Sequence, residues 1–174
     1  MNQSLVMTVI GDDRPGLVEL LARTVAEHDG NWLESRMSHL GGKFAGILQV
    51  SVPTSRVGAL LDTLTQLEGQ GLKVTSESSA ATPEKVQPLR LELVGADHIG
   101  IVRDIAALLT RAQVNVEEFT TDCVPAPMSG QMLFRATALL RLPAGRSQDD
   151  LAHDLEDLAH DLLVDINLDV ADGE

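Results

Sequence analysis

Tyrosine is absent from this chain of 174 residues, tryptophan occurs once, phenylalanine three times and cysteine once. With so few aromatic platforms there is little on which nucleic-acid bases could stack. Basic residues are also scarce, 13 against 26 acidic ones, for a formal net charge of −13. Phosphate binding rests on Lys and Arg, so direct contact with DNA or RNA is not expected. A single cysteine, Cys123, excludes an intramolecular disulfide and fits a reducing compartment. No apolar run approaches membrane-spanning length, and Met1-Asn2-Gln3-Ser4 opens no secretion signal, so a cytoplasmic protein without membrane attachment is expected. Three catalytic signatures are missing as well: GxSxG, the P-loop and the dinucleotide fingerprint GxGxxG. No acid, base or nucleophile cluster stands out, and an enzyme is not expected.

What the chain does have is a corner that occurs twice. Gly11-Asp12-Asp13-Arg14-Pro15-Gly16-Leu17-Val18 follows an apolar run, Leu5 to Ile10, and opens a stretch with helical apolar spacing. Gly95-Ala96-Asp97-His98-Ile99-Gly100-Ile101-Val102 repeats the arrangement after Leu89 to Val94. A glycine is expected to end the strand, and an acidic residue to accept from the first helix amides. A helix start carries unpaired N–H groups and the positive end of the helix dipole, and can hold a carboxylate. A cap alone would explain one such corner. Its recurrence makes the loop the leading candidate site.

The repeat is wider than the corner. With a shift of 84, Gly11, Asp13, Gly16, Val18, Ala22, Asn31 and Glu34 fall on Gly95, Asp97, Gly100, Val102, Ala106, Asn115 and Glu118. The register drifts by six residues near Val124 to Gly130 and recovers where Val52-Pro53 meets Leu142-Pro143. Each copy reads strand, helix, strand, strand, helix, strand. Leu89, Leu91 and Leu93 alternate with Arg90 and Glu92, which is strand spacing. Leu17, Leu20, Leu21, Thr24 and Val25 recur at helical spacing, as do Ile101, Ile105, Leu108 and Leu109. The second strand is expected over 31–40, turning at Gly41-Gly42. The fold class is therefore α+β: two tandem βαββαβ ferredoxin-like units, each an antiparallel sheet of order 4-1-3-2 with both helices on one face. Residues 1–78 make the first unit, 79–88 a linker and 89–174 the second.

Asp13-x-Pro15-Gly16-Leu17-Val18 followed by Gly30-Asn31 resembles the ACT domain, a small βαββαβ sensor of amino acids. The longer stretch through Glu34-Ser35-Arg36-Met37 and Leu40-Gly41-Gly42-Lys43-Phe44 is similar to the glycine cleavage repressor family, which is built of tandem ACT domains. The second copy departs from the pattern, with His98-Ile99 in place of Arg14-Pro15. The resemblance implies a ligand-responsive regulator that senses a small amino acid, glycine first. It implies repression of the glycine cleavage operon through a protein partner, a transcriptional activator, with no DNA binding of its own. It further implies a ligand at the seam between two units, near Asp13 and Asn31 in the first copy and Asp97 and Asn115 in the second. The ligand-contacting set is then Gly11, Asp12, Asp13, Arg14, Pro15, Gly16, Leu17 and Asn31, with Asp97, His98, Gly100, Ile101 and Asn115. The backbone amides of 14–17 would meet the carboxylate, an Asp the ammonium group. The alternative function is a regulatory amino-acid-binding subunit of an amino-acid-pathway enzyme. Pairing of two chains into a homodimer is compatible with either.

No cofactor and no metal are expected. His153 and His160 lie seven apart among acidic residues, without the four-residue spacing that makes two histidines neighbouring ligands. Cys123 reads as a buried or inert thiol, and Trp32 and Phe44 as packing residues. From Gln148 onward there are ten acidic residues and no Lys or Arg, a candidate partner surface or a solvated face.

Overall fold

The computed structural model describes residues 1–79 and 88–171. The chain divides into two compact units, and the expected linker over 79–88 lies, apart from its two ends, outside the described residues. In unit 1 the elements are β1 (Asn2–Asp12), α1 (Leu17–Glu27), β2 (Asn31–Leu40), β3 (Lys43–Pro53), α2 (Val57–Gln66) and β4 (Leu72–Ser78). In unit 2 they are β5 (Leu89–Ala96), α3 (Ile101–Arg111), β6 (Asn115–Pro125), β7 (Met132–Arg141), α4 (Gln148–Leu162) and β8 (Val164–Val170). Each unit is a four-stranded antiparallel sheet, of order β2-β3-β1-β4 in one and β6-β7-β5-β8 in the other. This is the ferredoxin-like order that the right-handed crossovers predict, found twice.

Alternation in the strands decides which sheet face the helices cover. Leu5, Met7 and Val9 of β1 and Leu48, Val50 and Val52 of β3 are buried, and meet Leu17, Leu21 and Val25 of α1 and Leu60 and Leu64 of α2. Their strand neighbours Thr8, Ile10 and Ile47 are exposed on the far face. In unit 2 the same layer holds Leu89, Leu91, Leu93, Ala136, Ala138 and Leu140 against Ile105, Leu108, Leu109, Leu151 and Leu155. Trp32 and Phe44 are half-buried and pack onto the first core. A polar tie joins the helices of unit 1: His28 Nδ1 donates to Thr24 O at 2.8 Å, and its Nε2 lies 3.2 Å from Thr63 Oγ1, whose hydroxyl donates to Ala59 O at 3.0 Å.

One outer strand of each sheet, β2 and β6, is interrupted at an equivalent place. The pairing of β2 with β3 slips between Trp32 and Glu34, and that of β6 with β7 between Val116 and Glu118. Each is a β-bulge, with one extra residue on the edge strand. The helix starts repeat too. Gly16 and Gly100 precede α1 and α3 with φ of +91° and +95°, a left-handed turn that a residue with a side chain adopts only at a cost. No helix among the described residues is long and apolar enough to cross a membrane.

Candidate functional site

The first corner is built where β1 runs out beside the β2–β3 hairpin. The strand does not stop at Gly11, as the sequence suggests, but continues to Asp12, paired with Lys43. Gly11 is needed instead for a close approach, since a Cβ there would lie 2.5 Å from the Gly71 carbonyl oxygen. The Lys43 ammonium donates to Asp12 and holds its carboxyl below the usual carboxylate range. Asp13 fastens the loop to the hairpin through its backbone N–H, which donates to Gly42 O at 3.1 Å. Arg14 reaches the other way, donating from Nη2 to Gln70 O at 2.6 Å.

Asp13 does not cap α1. The N-cap is Gly16, with no side-chain acceptor, and the first helical bond runs from Leu20 N–H to Gly16 O at 2.9 Å. The physical reason is the left-handed glycine: it turns the chain into the helix directly and leaves Asp13 three residues short of the capping position. The Asp13 carboxylate lies instead 3.5 Å from His39 Nε2. Among the described residues no side-chain oxygen closes the helix start, so its N–H groups keep their capacity for an external acceptor. Pro15 contributes no donor, so the amides of 14–17 reduce to those of Arg14, Gly16 and Leu17. A shallow hollow lies against this corner, lined by Asp13, Arg14, Gly16, Leu17, Val18 and Glu19, with Ala22 and Phe44 behind them.

The second corner has the same backbone and different chemistry. Asp97 N–H donates to Met132 O at 3.0 Å, the counterpart of the Asp13 bond to the hairpin. His98 Nδ1 donates to the Ala96 carbonyl at 3.2 Å, and Ile99 is fully exposed. Gly100, not Asp97, is the N-cap of α3, again with no side-chain acceptor. The Arg103 guanidinium stands over it, since a Cβ on Gly100 would meet Arg103 Nη2 at 3.1 Å. Arg103 donates to Asp104 at 2.8 Å, which raises the arginine and lowers the Asp104 carboxyl, with the charge of His98 a lesser contribution to the latter. The Asp12–Lys43 pair has no equivalent here: Ala96 faces Leu133.

The two asparagines are not part of these corners within their own units. Asp12 pairs with Lys43 at one end of β3, and Asn31 pairs with Ser51 near the other. At about 3.4 Å per residue, that puts Asn31 roughly 27 Å along the sheet from the Asp13 loop. The register of Ala96 with Leu133 and of Asn115 with Arg141 imposes the same separation in unit 2. No unit can by itself bring its Asp and its Asn onto one small molecule.

Other candidates resolve simply. Among the described residues no group of three or more His, Cys, Asp or Glu side chains could hold a metal ion. Cys123 is exposed rather than buried, because it sits on β6, the edge strand, opposite Phe134. The approach of His39 to Asp13 is not evident from the sequence motifs. It follows from the Gly41-Gly42 turn, whose register sets His39 opposite Phe44, and Phe44 opposite Gly11.

Residues 3–76 match the family model described as ACT domain. The chain is 27% identical over 126 residues to the glycine cleavage system transcriptional repressor of Escherichia coli (strain K12); the matched part is 70% of this chain and 66% of that protein, just under two thirds of its length. Among solved structures, one of an unknown protein from Galdieria sulphuraria aligns over 99% of this chain and 100% of its own, at 27% identity and a TM-score of 0.84. A second, of a candidate glycine cleavage system transcriptional repressor, aligns over 99% of each chain at a TM-score of 0.75 and 20% identity, which bears on the fold alone.

Proposed function

Residues 3–76 are an ACT domain and unit 2 repeats its fold; from that premise we propose that the chain is an amino-acid-responsive regulator, not an enzyme, which represses transcription of the glycine cleavage operon. In this reading glycine is the signal. Its carboxylate lies on the N–H groups of Gly16 and Leu17, where the helix dipole and the uncapped first turn favour an anion. Its ammonium group is met by the Asp13 carboxylate. Unit 1 carries this site, with Asp13, Arg14, Gly16 and Leu17 around one hollow. Asn31 belongs to the same ligand only if it comes from a unit other than the one that supplies Asp13, and Asp97 with Asn115 follow the same rule.

Repression runs through a protein partner, a transcriptional activator, rather than through DNA. The support is electrostatic: a chain with net charge −13 and no tyrosine offers phosphates little. Ligand binding would shift the population of partner-competent chains by its preference for one state over the other. The observation that carries the reading is the likeness to the repressor over 70% of this chain, joined to a helix start left open to an anion beside Asp13.

Calorimetric titration of the full chain with glycine and other amino acids tests it, together with a reporter driven by the operon's promoter. Glycine is expected to give heat that Asp13→Ala abolishes, and the chain to repress the reporter only when the activator is present. No heat from any amino acid, or equal binding in wild type and Asp13→Ala, overturns the ligand assignment.

A further inference from the structure

Each sheet has a second rim, β4 in unit 1 and β8 in unit 2, and the pairing of neither slips. On β8 the backbone can be oriented residue by residue. Ala171 N–H donates inward to Pro88 O at 3.0 Å, whereas Leu168 O accepts from the Gln148 side-chain amide of α4 at 3.1 Å. In an antiparallel ladder the N–H and C=O of one residue point the same way, and the direction alternates along the strand. Asp165, Asn167 and Asp169 therefore bond to β5, and Val164, Ile166 and Leu168 turn their N–H and C=O outward. The Gln148 amide on Leu168 O is a peptide-like donor already seated on this edge.

A groove runs beside the same edge, lined by Ala152, Leu155 and Ala159 of α4 and by Ile166 and Leu168 of β8. In unit 1 the place of Ala152 is taken by Leu61, next to Leu60 as Ala152 is next to Leu151, and Leu61 packs onto the core. On the other face of β8, Asp165, Asn167 and Asp169 are exposed. Arg90, across from Asp169, is engaged with Glu92, and from Gln148 onward the chain has no Lys or Arg. A strand added to a sheet edge draws affinity from main-chain hydrogen bonds and specificity from what its alternate side chains meet. Here one set meets an apolar groove and the other meets two carboxylates. The β8 of a second copy does not suit this edge, because antiparallel pairing of β8 with itself sets acidic residues against acidic ones.

We propose that the α4–β8 groove receives an extended segment of a partner protein, added as a further strand on β8, with apolar side chains in the groove and Lys or Arg beside Asp165 and Asp169. The inference rests on the reading that the chain acts through a protein partner, and adds where that partner is held and by what chemistry.

The probe is a fluorescent peptide of alternating Val and Lys, titrated with the full chain and read by anisotropy, with an alternating Val and Glu peptide beside it. Wild type is expected to bind the first and not the second. Ala152→Leu, which fills the groove as Leu61 does in unit 1, is expected to weaken binding about tenfold, the cost of overpacking. Asp165→Asn with Asp169→Asn is expected to weaken it about three- to tenfold, the range for two cross-strand charge pairs. Peptides N-methylated on alternate amides test the backbone pairing without altering the protein. Methylating one set, Val or Lys, is expected to abolish binding and methylating the other to spare it, because only one set faces β8. No binding of the Val–Lys peptide, equal binding of both charge patterns, indifference to Ala152→Leu, or equal effects of the two methylations overturns the inference. A dimer of the free chain that Ala152→Leu breaks makes a second copy the occupant, and overturns it too. If wild type and Ala152→Leu repress the operon reporter equally, the partner reading stands and the groove falls. If the peptide binds as expected while the chain does not repress, the groove stands and the repression reading falls.

Discussion

Gly95 lies so close to Val164 that a Cβ built on it would stand 2.3 Å from the valine Cγ1. The two are directly paired between β5 and β8, and the equivalent glycine, Gly11, is pressed against the Gly71 carbonyl. The first glycine of each corner thus serves the packing of the last strand, and the second, Gly16 or Gly100, serves the left-handed turn. Gly11→Ala and Gly95→Ala should each destabilise the fold by about 1–3 kcal/mol, as overpacking does. At Gly16, where nothing lies within 4 Å of the added methyl, the cost is backbone strain alone, about 1 kcal/mol. Urea unfolding of the three variants separates the two causes.

Asp13→Ala should leave stability within about 0.5 kcal/mol of wild type, because the residue is surface-exposed and caps no helix. If glycine is the ligand as proposed, it should raise the Tm of the wild-type chain, and the same change should abolish that rise. A thermal shift assay with and without glycine reads both.

Ser147 and Asp150 form a capping box at the start of α4, each accepting from the other's backbone N–H. Ser147→Ala should cost about 1 kcal/mol. The bonds from the Ser147 hydroxyl and backbone N–H hold the Asp150 carboxyl below its usual range. A lowered folded value stabilises the fold above the unfolded value of about 3.9 and loses that contribution as the pH falls through the folded one. The stability gap between wild type and Asp150→Asn should therefore be full at neutral pH and close on acidification below about pH 4. Denaturant curves at pH 7, 4 and 3 measure it.

The acidic helix α4 is not uniformly available to a partner. Asp150 is held by Ser147, and Asp154 by Arg146. Asp157 and Asp161, together with Asp154, line a hollow with Arg111 between α3 and α4. Asp157→Asn with Asp161→Asn should weaken capture of the proposed activator without lowering Tm, whereas Asp150→Asn should lower Tm. Pull-down beside a thermal melt separates the effects.

Much of this fold is written locally. Asn31 and the Gly41-Gly42 turn bracket β2 at the bounds observed, and the leucine spacing of residues 151–162 delimits α4 from within. Both rest on short-range rules of turn chemistry and periodicity. What was not legible depends on contacts distant in sequence. Gly11 reads as a strand end, since the Gly71 carbonyl against it lies sixty residues on. Asp13 reads as a cap because its distance from the helix looks short until Gly16 is seen to take the position. Cys123 reads as a buried or inert thiol because its residue type favours the interior, and only the strand order reveals that it sits exposed on an edge. Asp13 and Asn31 look like partners in the sequence, and the register separates them within a single unit.

The bulges beside Leu33 and Glu117 have a consequence for how the protein behaves in a crowded solution. A foreign strand laid along β2 finds regular pairing over residues 34–40 and then an offset that breaks the ladder. The same offset waits on β6. Open-ended stacking of sheet upon sheet, the path to fibrils, demands an uninterrupted template. In a chain that is 44% hydrophobic, one surplus residue on β2 and one on β6 break the template along one rim of each sheet.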